Sequence, residues 1–144
     1  MNIEEEVAST VLLAFMKAMK EWETRFATLY KRENGGPEAH AEQAKIELQP
    51  IYQKYVTEQD RKLWIMANPS ASYPTEFAPG AEKIVGSELS NTKKVVLETQ
   101  WTHPNVPVMT EKNRYTIVKK EDQWRLNKKE RFDSIKNKWV TRAL

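Results

Sequence analysis

At 144 residues the chain has the length of one domain, and 40% hydrophobic residues with five tryptophans can build a packed core, which excludes wholesale disorder. The absence of cysteine excludes a disulfide framework and thiolate chemistry. The net charge of +3 is uneven, because residues 112–142 carry 11 basic and 4 acidic side chains. That segment either faces an anionic partner or is an ordinary solvated sheet face.

The chain carries no apparent targeting or membrane segment. No apolar run approaches the roughly 20 residues that a membrane span needs. The first residues, MNIEEE, are acidic where a secretory signal is basic. We therefore expect a soluble, cytoplasmic protein that does not bind membranes.

The first half of the chain predicts helices. Apolar side chains recur at three- and four-residue spacing over residues 7–30, and Asn34-Gly35-Gly36-Pro37 ends that helix. A second helix is expected over residues 38–56, where Pro50 either kinks it or separates two helices. A third short helix is expected over residues 58–67.

The second half predicts strands. Residues 73–80 are extended and punctuated by prolines, residues 82–89 form a first strand, and residues 93–102 alternate as a second. Residues 114–132 form a hairpin, and residues 135–144 are either a last short strand or a docking segment.

The hairpin is the clearest pattern in the chain. Its predicted core face carries four apolar side chains, Tyr115, Ile117, Trp124 and Leu126. Its predicted solvent-facing row is basic and consists of Arg125, Lys129 and Arg131. Helices followed by an antiparallel meander predict an α+β fold of residues 1–144, in which the helices cover one face of a curved sheet and leave a cavity between them.

This order of elements resembles the nuclear-transport-factor-two-like cone fold. Within that superfamily, residues 60–142 resemble the immunity proteins that protect bacteria from their own polymorphic toxins. The segments that carry the resemblance are Tyr73-Pro74, Pro79, residues 93–99, residues 114–120, residues 124–129 and Lys138-Trp139. The resemblance implies a non-catalytic protein, used in bacterial competition, that binds and neutralises a toxin encoded by the adjacent gene. It also leaves open a homodimer formed through the uncovered face of the sheet.

The alternative is a small-molecule enzyme or ligand carrier of the cone type, such as an isomerase, dehydratase or hydrolase. Such an enzyme needs a buried carboxylate with a shifted pKa. Glu98 and Gln100 are the polar candidates for the cavity, with Arg114 as a partner of Glu98 and Asp60 as a second carboxylate. We expect no metal or cofactor, because the two histidines are isolated and no phosphate-binding loop is present.

Binding of a partner protein is expected at the rim and along the basic hairpin. The candidate residues are Trp101, His103, Asn105, Arg114, Arg125, Lys129 and Arg131. The basic sheet suggests an acidic patch on the partner, since complementary charge speeds encounter. Nucleic acid ranks last among the partners, because the basic residues lack an aromatic stacking platform.

Overall fold

The computed structural model describes residues 1–59, 65, 69, 71 and 75–144. Two α-helices, α1 (Ile3–Leu29) and α2 (Gly36–Tyr55), flank a short 3-10 turn. The strands are β1 (Glu82–Asn91), β2 (Lys94–Thr102), β3 (Thr110–Lys120), β4 (Gln123–Asp133) and β5 (Lys138–Arg142). They form one antiparallel sheet in sequence order, which confirms the predicted α+β architecture.

Helix α1 has a well-formed start and one buried stripe. The Asn2 side chain accepts a hydrogen bond from the Glu5 backbone N–H at 2.8 Å, and three glutamates occupy the first turn. Both features stabilise a helix N-terminus. The predicted apolar stripe is buried and comprises Ala8, Leu12, Phe15, Met16, Met19, Trp22 and Phe26. None of the helices in the described ranges is long and apolar enough to cross a membrane.

The break between the helices lies at Gly35. Its φ of 107° is in the left-handed region, and a Cβ there would lie 3.0 Å from the Ala39 Cβ, so glycine fits both the backbone and the space. Helix α2 then runs through Pro50 as one helix, so the alternative of two helices meeting there is wrong. The predicted third helix over residues 58–67 falls mostly outside the described residues.

The core lies between the helices and one face of the sheet, which we call the inner face. The Trp22 indole N–H donates to the Ala44 carbonyl at 3.0 Å and joins α1 to α2. Phe77 packs edge-on against Phe15 at 5.1 Å between ring centroids. The sheet contributes five fully buried hydrophobic side chains, Val95, Leu97, Tyr115, Ile117 and Leu126. The opposite face of the sheet, which no described helix covers, is the outer face.

A tight turn connects β3 to β4, and the C-terminal tail forms the last strand of the sheet. Glu121 and Asp122 have φ of 52° and 61°, which is typical of a two-residue turn in a hairpin. The tail forms β5, and Leu144 beyond it is 1% exposed. The tail is therefore both a strand and a docked segment.

A β-bulge interrupts the β3–β4 hairpin. Thr116 pairs with Lys128, but the next residue, Ile117, pairs with Leu126, so Asn127 is an extra residue in β4. The Thr57 hydroxyl donates to the Asn127 side-chain oxygen at 2.9 Å. An extra residue moves every later side chain of that strand to the opposite face.

The bulge overturns one prediction. Lys129 pairs with Tyr115 and Arg131 pairs with Asn113, which places both basic side chains on the inner face. Lys129 is 1% exposed. The predicted solvent-facing row is therefore wrong for Lys129 and Arg131, because strict alternation along β4 fails at Asn127. Arg125, which precedes the bulge, lies on the outer face as predicted.

Candidate functional site

The inner face holds a cluster of buried polar side chains. The Glu82 carboxylate is 2% exposed and accepts hydrogen bonds from the Thr99 hydroxyl and, at 3.3 Å, from the Asn113 amide. The fully buried Tyr115 lies beside it. Burial, followed by the charge of Glu82, holds the pKa of Tyr115 well above its ordinary value.

Lys129 is the most buried cation in the described part of the chain. Its ammonium lies 2.9 Å from Glu76 Oε1, 4.6 Å from the centroid of Phe77 and 5.7 Å from that of Tyr115. The charge of Lys129 holds the pKa of Glu76 below its ordinary value. Lys129 therefore stabilises the interior and is not available to a partner.

Arg131 is tied to the same network. Its guanidinium lies 3.1 Å from Glu111 and 3.6 Å from Glu76, and its Nε donates to the Asn113 side-chain oxygen at 3.1 Å. These contacts fix the side chain along the inner face.

Glu23 fastens the segment before β1 to α1. Its carboxylate is 4% exposed and accepts the backbone N–H groups of Glu76 at 2.9 Å and Phe77 at 3.1 Å. Burial raises the pKa of Glu23 to about 7. The carboxylate holds two backbone donors in place, which is a structural task.

The polar residues predicted for the cavity lie elsewhere. Glu98 pairs with Arg114 and Gln100 with Lys112 on the face opposite to the buried Leu97 and Thr99, so both residues belong to the outer face. The predicted position of Glu98 and Gln100 in the cavity is therefore wrong. Asp60 is outside the described residues.

The outer face concentrates the positive charge of the protein. Its basic side chains, assigned by the strand register, are Lys83, Lys94, Lys112, Arg114, Lys120, Arg125 and Lys128. Its acidic side chains are Glu88, Glu98 and Glu130. Seven basic against three acidic groups leave an excess of four, whereas the whole chain has a net charge of +3. We call this set the basic outer face.

An ordered cluster spans β3, β4 and the edge strand β5 on the outer face. The Arg114 guanidinium donates two hydrogen bonds to the Glu130 carboxylate, at 3.0 and 3.1 Å, and stacks over the Trp139 ring at 4.4 Å from its centroid. Phe132 contacts Trp139 edge-on at 5.5 Å, and Lys128 lies 3.5 Å from Glu130. These five residues, the central cluster, fix an arginine and a tryptophan in one arrangement before any partner binds.

The remaining predicted partner-binding residues are spread over the ends of the sheet. Trp101 lies on the inner face, half-buried and edge-on to the His103 ring at 5.5 Å. Asn105 is exposed in the loop that follows. Arg125 is on the outer face at the other end of the sheet, near the β3–β4 turn. Only Arg114 of the predicted set lies in the central cluster.

Comparison with known proteins decides the family. Residues 7–143 match the family described as NTF2 fold immunity protein. The chain belongs to that family. It is also 36% identical over 133 residues to Immunity protein RhsIA of Dickeya dadantii (strain 3937), an alignment that covers 92% of this chain and 93% of the relative. No solved structure gives a significant match.

The family confirms the function predicted from the resemblance. The chain is an immunity protein, which binds and neutralises a cognate toxin and performs no catalysis. The comparisons give no support to the alternative of a cone-type enzyme. The buried carboxylates Glu23 and Glu82 accept hydrogen bonds from the protein itself, which agrees with a structural role.

Sequence reasoning missed several members of the immunity protein's central cluster. Phe132, Trp139 and Glu130 were not among the candidates, because their shared face depends on the bulge in β4 and on the pairing of β5. A signal was present for Trp139, since an aromatic residue in a short terminal strand next to basic strands is an ordinary partner for arginine. The described residues of the immunity protein contain no cluster of side chains that could hold a metal ion.

Proposed function

We propose that this immunity protein neutralises a polymorphic toxin, encoded by the adjacent gene, by direct binding through the basic outer face. The observation that carries the proposal is the charge excess on that face, which is larger than the net charge of the chain. The name of the relative, Immunity protein RhsIA, supports a toxin of the Rhs type as the partner. We place the complex in the cytoplasm, where a toxin and its immunity protein meet as they are made.

Charge complementarity favours an acidic surface on the toxin. Opposed charges raise the association rate of two proteins by about 10- to 1,000-fold at low ionic strength, and salt screens the effect. For an immunity protein, fast association has a direct use, because the toxin must be captured before it acts.

The central cluster favours tight as well as fast binding. Arginine and tryptophan are over-represented among the residues that contribute most to protein interfaces. Arg114 is held by Glu130 and Trp139 in the free protein, so its rotamers are restricted before binding. Restricting a side chain in advance lowers the entropy that is lost on association.

The same face could instead pair with a second copy of the chain. Two copies that meet face to face would bring two excesses of four positive charges together. Like charges across an interface are unfavourable. We therefore favour the toxin over a homodimer as the occupant of the basic outer face.

The proposal is tested by charge reversal with a matched control. Lys112 and Lys128 are exposed on the basic outer face, and Lys45 and Lys54 are exposed on α2. In stopped-flow mixing with the inactivated toxin from the adjacent gene, Lys112→Glu with Lys128→Glu should slow association about tenfold at low salt. The deficit should shrink at high salt. The control, Lys45→Glu with Lys54→Glu, changes the net charge by the same amount and should bind like the wild type.

Two results would contradict the proposal. Equal slowing by Lys45→Glu with Lys54→Glu would mean that only net charge matters and that the face is not specific. Failure of the wild-type protein to bind the neighbouring gene product, or to rescue cells that express it, would remove that product as the partner.

A further inference from the structure

Four exposed hydrophobic side chains lie in two loops at one end of the sheet. Val106, Val108 and Met109 lie in the β2–β3 loop and are 38%, 90% and 54% exposed. Ile135 lies in the β4–β5 turn and is 96% exposed. We call these four residues the apolar end.

The two loops are neighbours in space. β2 and β4 run in the same direction in an antiparallel sheet of sequential order, so the chain leaves both strands at the same end. The two hairpins are two strand spacings apart, which is about 10 Å. The apolar end is therefore one surface, bordered by the basic outer face at Lys112 and Trp139.

The β2–β3 loop is held in shape by His103. The His103 Nδ1 accepts the backbone N–H groups of Asn105 and Val106, each at 3.1 Å. The His103 backbone N–H donates to the Met109 carbonyl at 2.9 Å, which closes the base of the loop. Val108 is thus presented to solvent by a loop whose backbone is fixed from within.

The β4–β5 turn is held in the same way. Asp133 Oδ1 accepts the backbone N–H groups of Ile135 and Lys136, each at 3.0 Å. The hydrogen bond from Lys136, followed by that from Ile135, holds the pKa of Asp133 below its ordinary value. Asn137 completes the turn with a left-handed φ of 52°. Each loop therefore has a side-chain acceptor at or just before its start and an apolar side chain at its tip.

We propose that the apolar end is a docking surface for the cognate toxin, in which Val108 and Ile135 enter an apolar depression of the toxin. This proposal rests on the proposed function and adds the part of the interface that excludes water. Contiguous exposed apolar surface marks interaction sites on proteins. A loop that is already fixed in the free protein loses less conformational entropy when it binds.

Continuity with the basic outer face favours the toxin as the occupant. A partner that contacts Arg114 and Trp139 reaches the adjoining turn without a gap, because β5 begins at Lys138, directly after that turn. A second copy of the chain would again juxtapose the neighbouring lysines. A membrane would be met by two small apolar tips, which is much less area than an amphipathic helix inserts.

The test uses Val108→Gln and Ile135→Gln, with Ile46→Gln as the matched control on α2, where Ile46 is 56% exposed. Binding to the inactivated toxin is measured by surface plasmon resonance. Each loop variant should raise the dissociation rate about tenfold or more and leave the association rate nearly unchanged, as expected for losing one buried apolar side chain. Ile46→Gln should dissociate within twofold of the wild type.

The outcomes separate this inference from the proposed function. Wild-type dissociation rates in both loop variants, with association still slowed by Lys112→Glu with Lys128→Glu, would overturn the apolar end and leave the basic outer face intact. Loss of self-association or of vesicle binding in the loop variants, with toxin binding unchanged, would also overturn it. No complex with the wild-type protein would overturn the proposed function itself.

Discussion

The two members of the Lys129–Glu76 ion pair differ in solvent exposure, and this difference predicts which of them is more costly to remove. The Lys129 side chain is 1% exposed, whereas the Glu76 side chain is 47% exposed. Removing the carboxylate leaves a buried ammonium without its counter-charge. Removing the ammonium leaves a carboxylate that water and Arg131, 3.6 Å away, still stabilise.

Glu76→Gln should therefore destabilise the protein more than Lys129→Met. Breaking a buried pair from the exposed side costs about 3 kcal/mol, because the buried charge is left uncompensated. Lys129→Met keeps the length and most of the volume of the side chain and removes the buried charge. It loses the cation–π contacts with Phe77 and Tyr115, so we expect the free energy of unfolding to fall by about 1 kcal/mol.

The assay is urea and thermal unfolding, followed by tryptophan fluorescence and circular dichroism. At about 3 °C per kcal/mol for a domain of this size, Glu76→Gln should lower Tm by about 10 °C and Lys129→Met by about 3 °C. The pKa of Glu76 is lowered in the folded protein, so its contribution is present above the ordinary value of 4.5 and is lost as pH falls. The deficit of Glu76→Gln should accordingly shrink in acid.

A cost of Lys129→Met equal to or larger than that of Glu76→Gln would contradict this prediction. That result would mean that the ammonium contributes more to the interior through Phe77 and Tyr115 than it costs to bury. A deficit of Glu76→Gln that does not change with pH would show that the carboxylate acts by shape and not by charge.

Two further predictions concern the interior and the bulge. The pKa of Glu23 is raised to about 7, so its burial lowers the free energy of unfolding by on the order of 3 kcal/mol as pH rises from 4.5 to 7. Glu23→Gln should remove most of this pH dependence, which urea titrations at pH 5 and pH 8 measure. An unchanged pH dependence would contradict the assignment to Glu23. Deletion of Asn127 should prevent folding, because every later side chain of β4 would change face and Lys129 would move from the inner to the outer face. A soluble deletion protein with native circular dichroism would show that β4 tolerates either register.

Alternation predicted the strands well, because a strand has a side-chain period of two and one face of this sheet is buried. Tyr115, Ile117 and Leu126 are fully buried, as predicted, and Trp124 packs against the core. The same rule failed beyond Asn127, since a bulge changes the face of every later residue and leaves little mark in the sequence. The wrong position of Lys129 and Arg131 has this one cause.

The error at Glu98 and Gln100 has a different cause. The alternation along β2 was right, and these two residues do share a face with Val96. The assignment of that face to the cavity was wrong, because the helices cover the side of Val95 and Leu97. Periodicity separates the two faces of a strand, but only the packing of helices decides which one is the interior.

The candidate site was the least predictable part. Arg114 was found from the hairpin pattern, whereas its partners come from the bulged part of β4, at Glu130, and from β5, at Trp139. No local sequence pattern connects Arg114 with Glu130 and Trp139, which follow it by 16 and 25 positions. Pairing across strands creates the central cluster, and sequence spacing does not record it.

Binding through the basic outer face is tested most directly by a thiol footprint of the complex. The chain has no cysteine, so a single introduced cysteine is the only thiol of the immunity protein. The variants are Lys112→Cys and Lys128→Cys, with Lys45→Cys as the control. The rate of labelling is measured with and without a saturating amount of the inactivated toxin. If the toxin covers the basic outer face, positions 112 and 128 should be strongly protected and position 45 should not be. Equal labelling of 112 and 128 with and without bound toxin would mean that the toxin binds elsewhere.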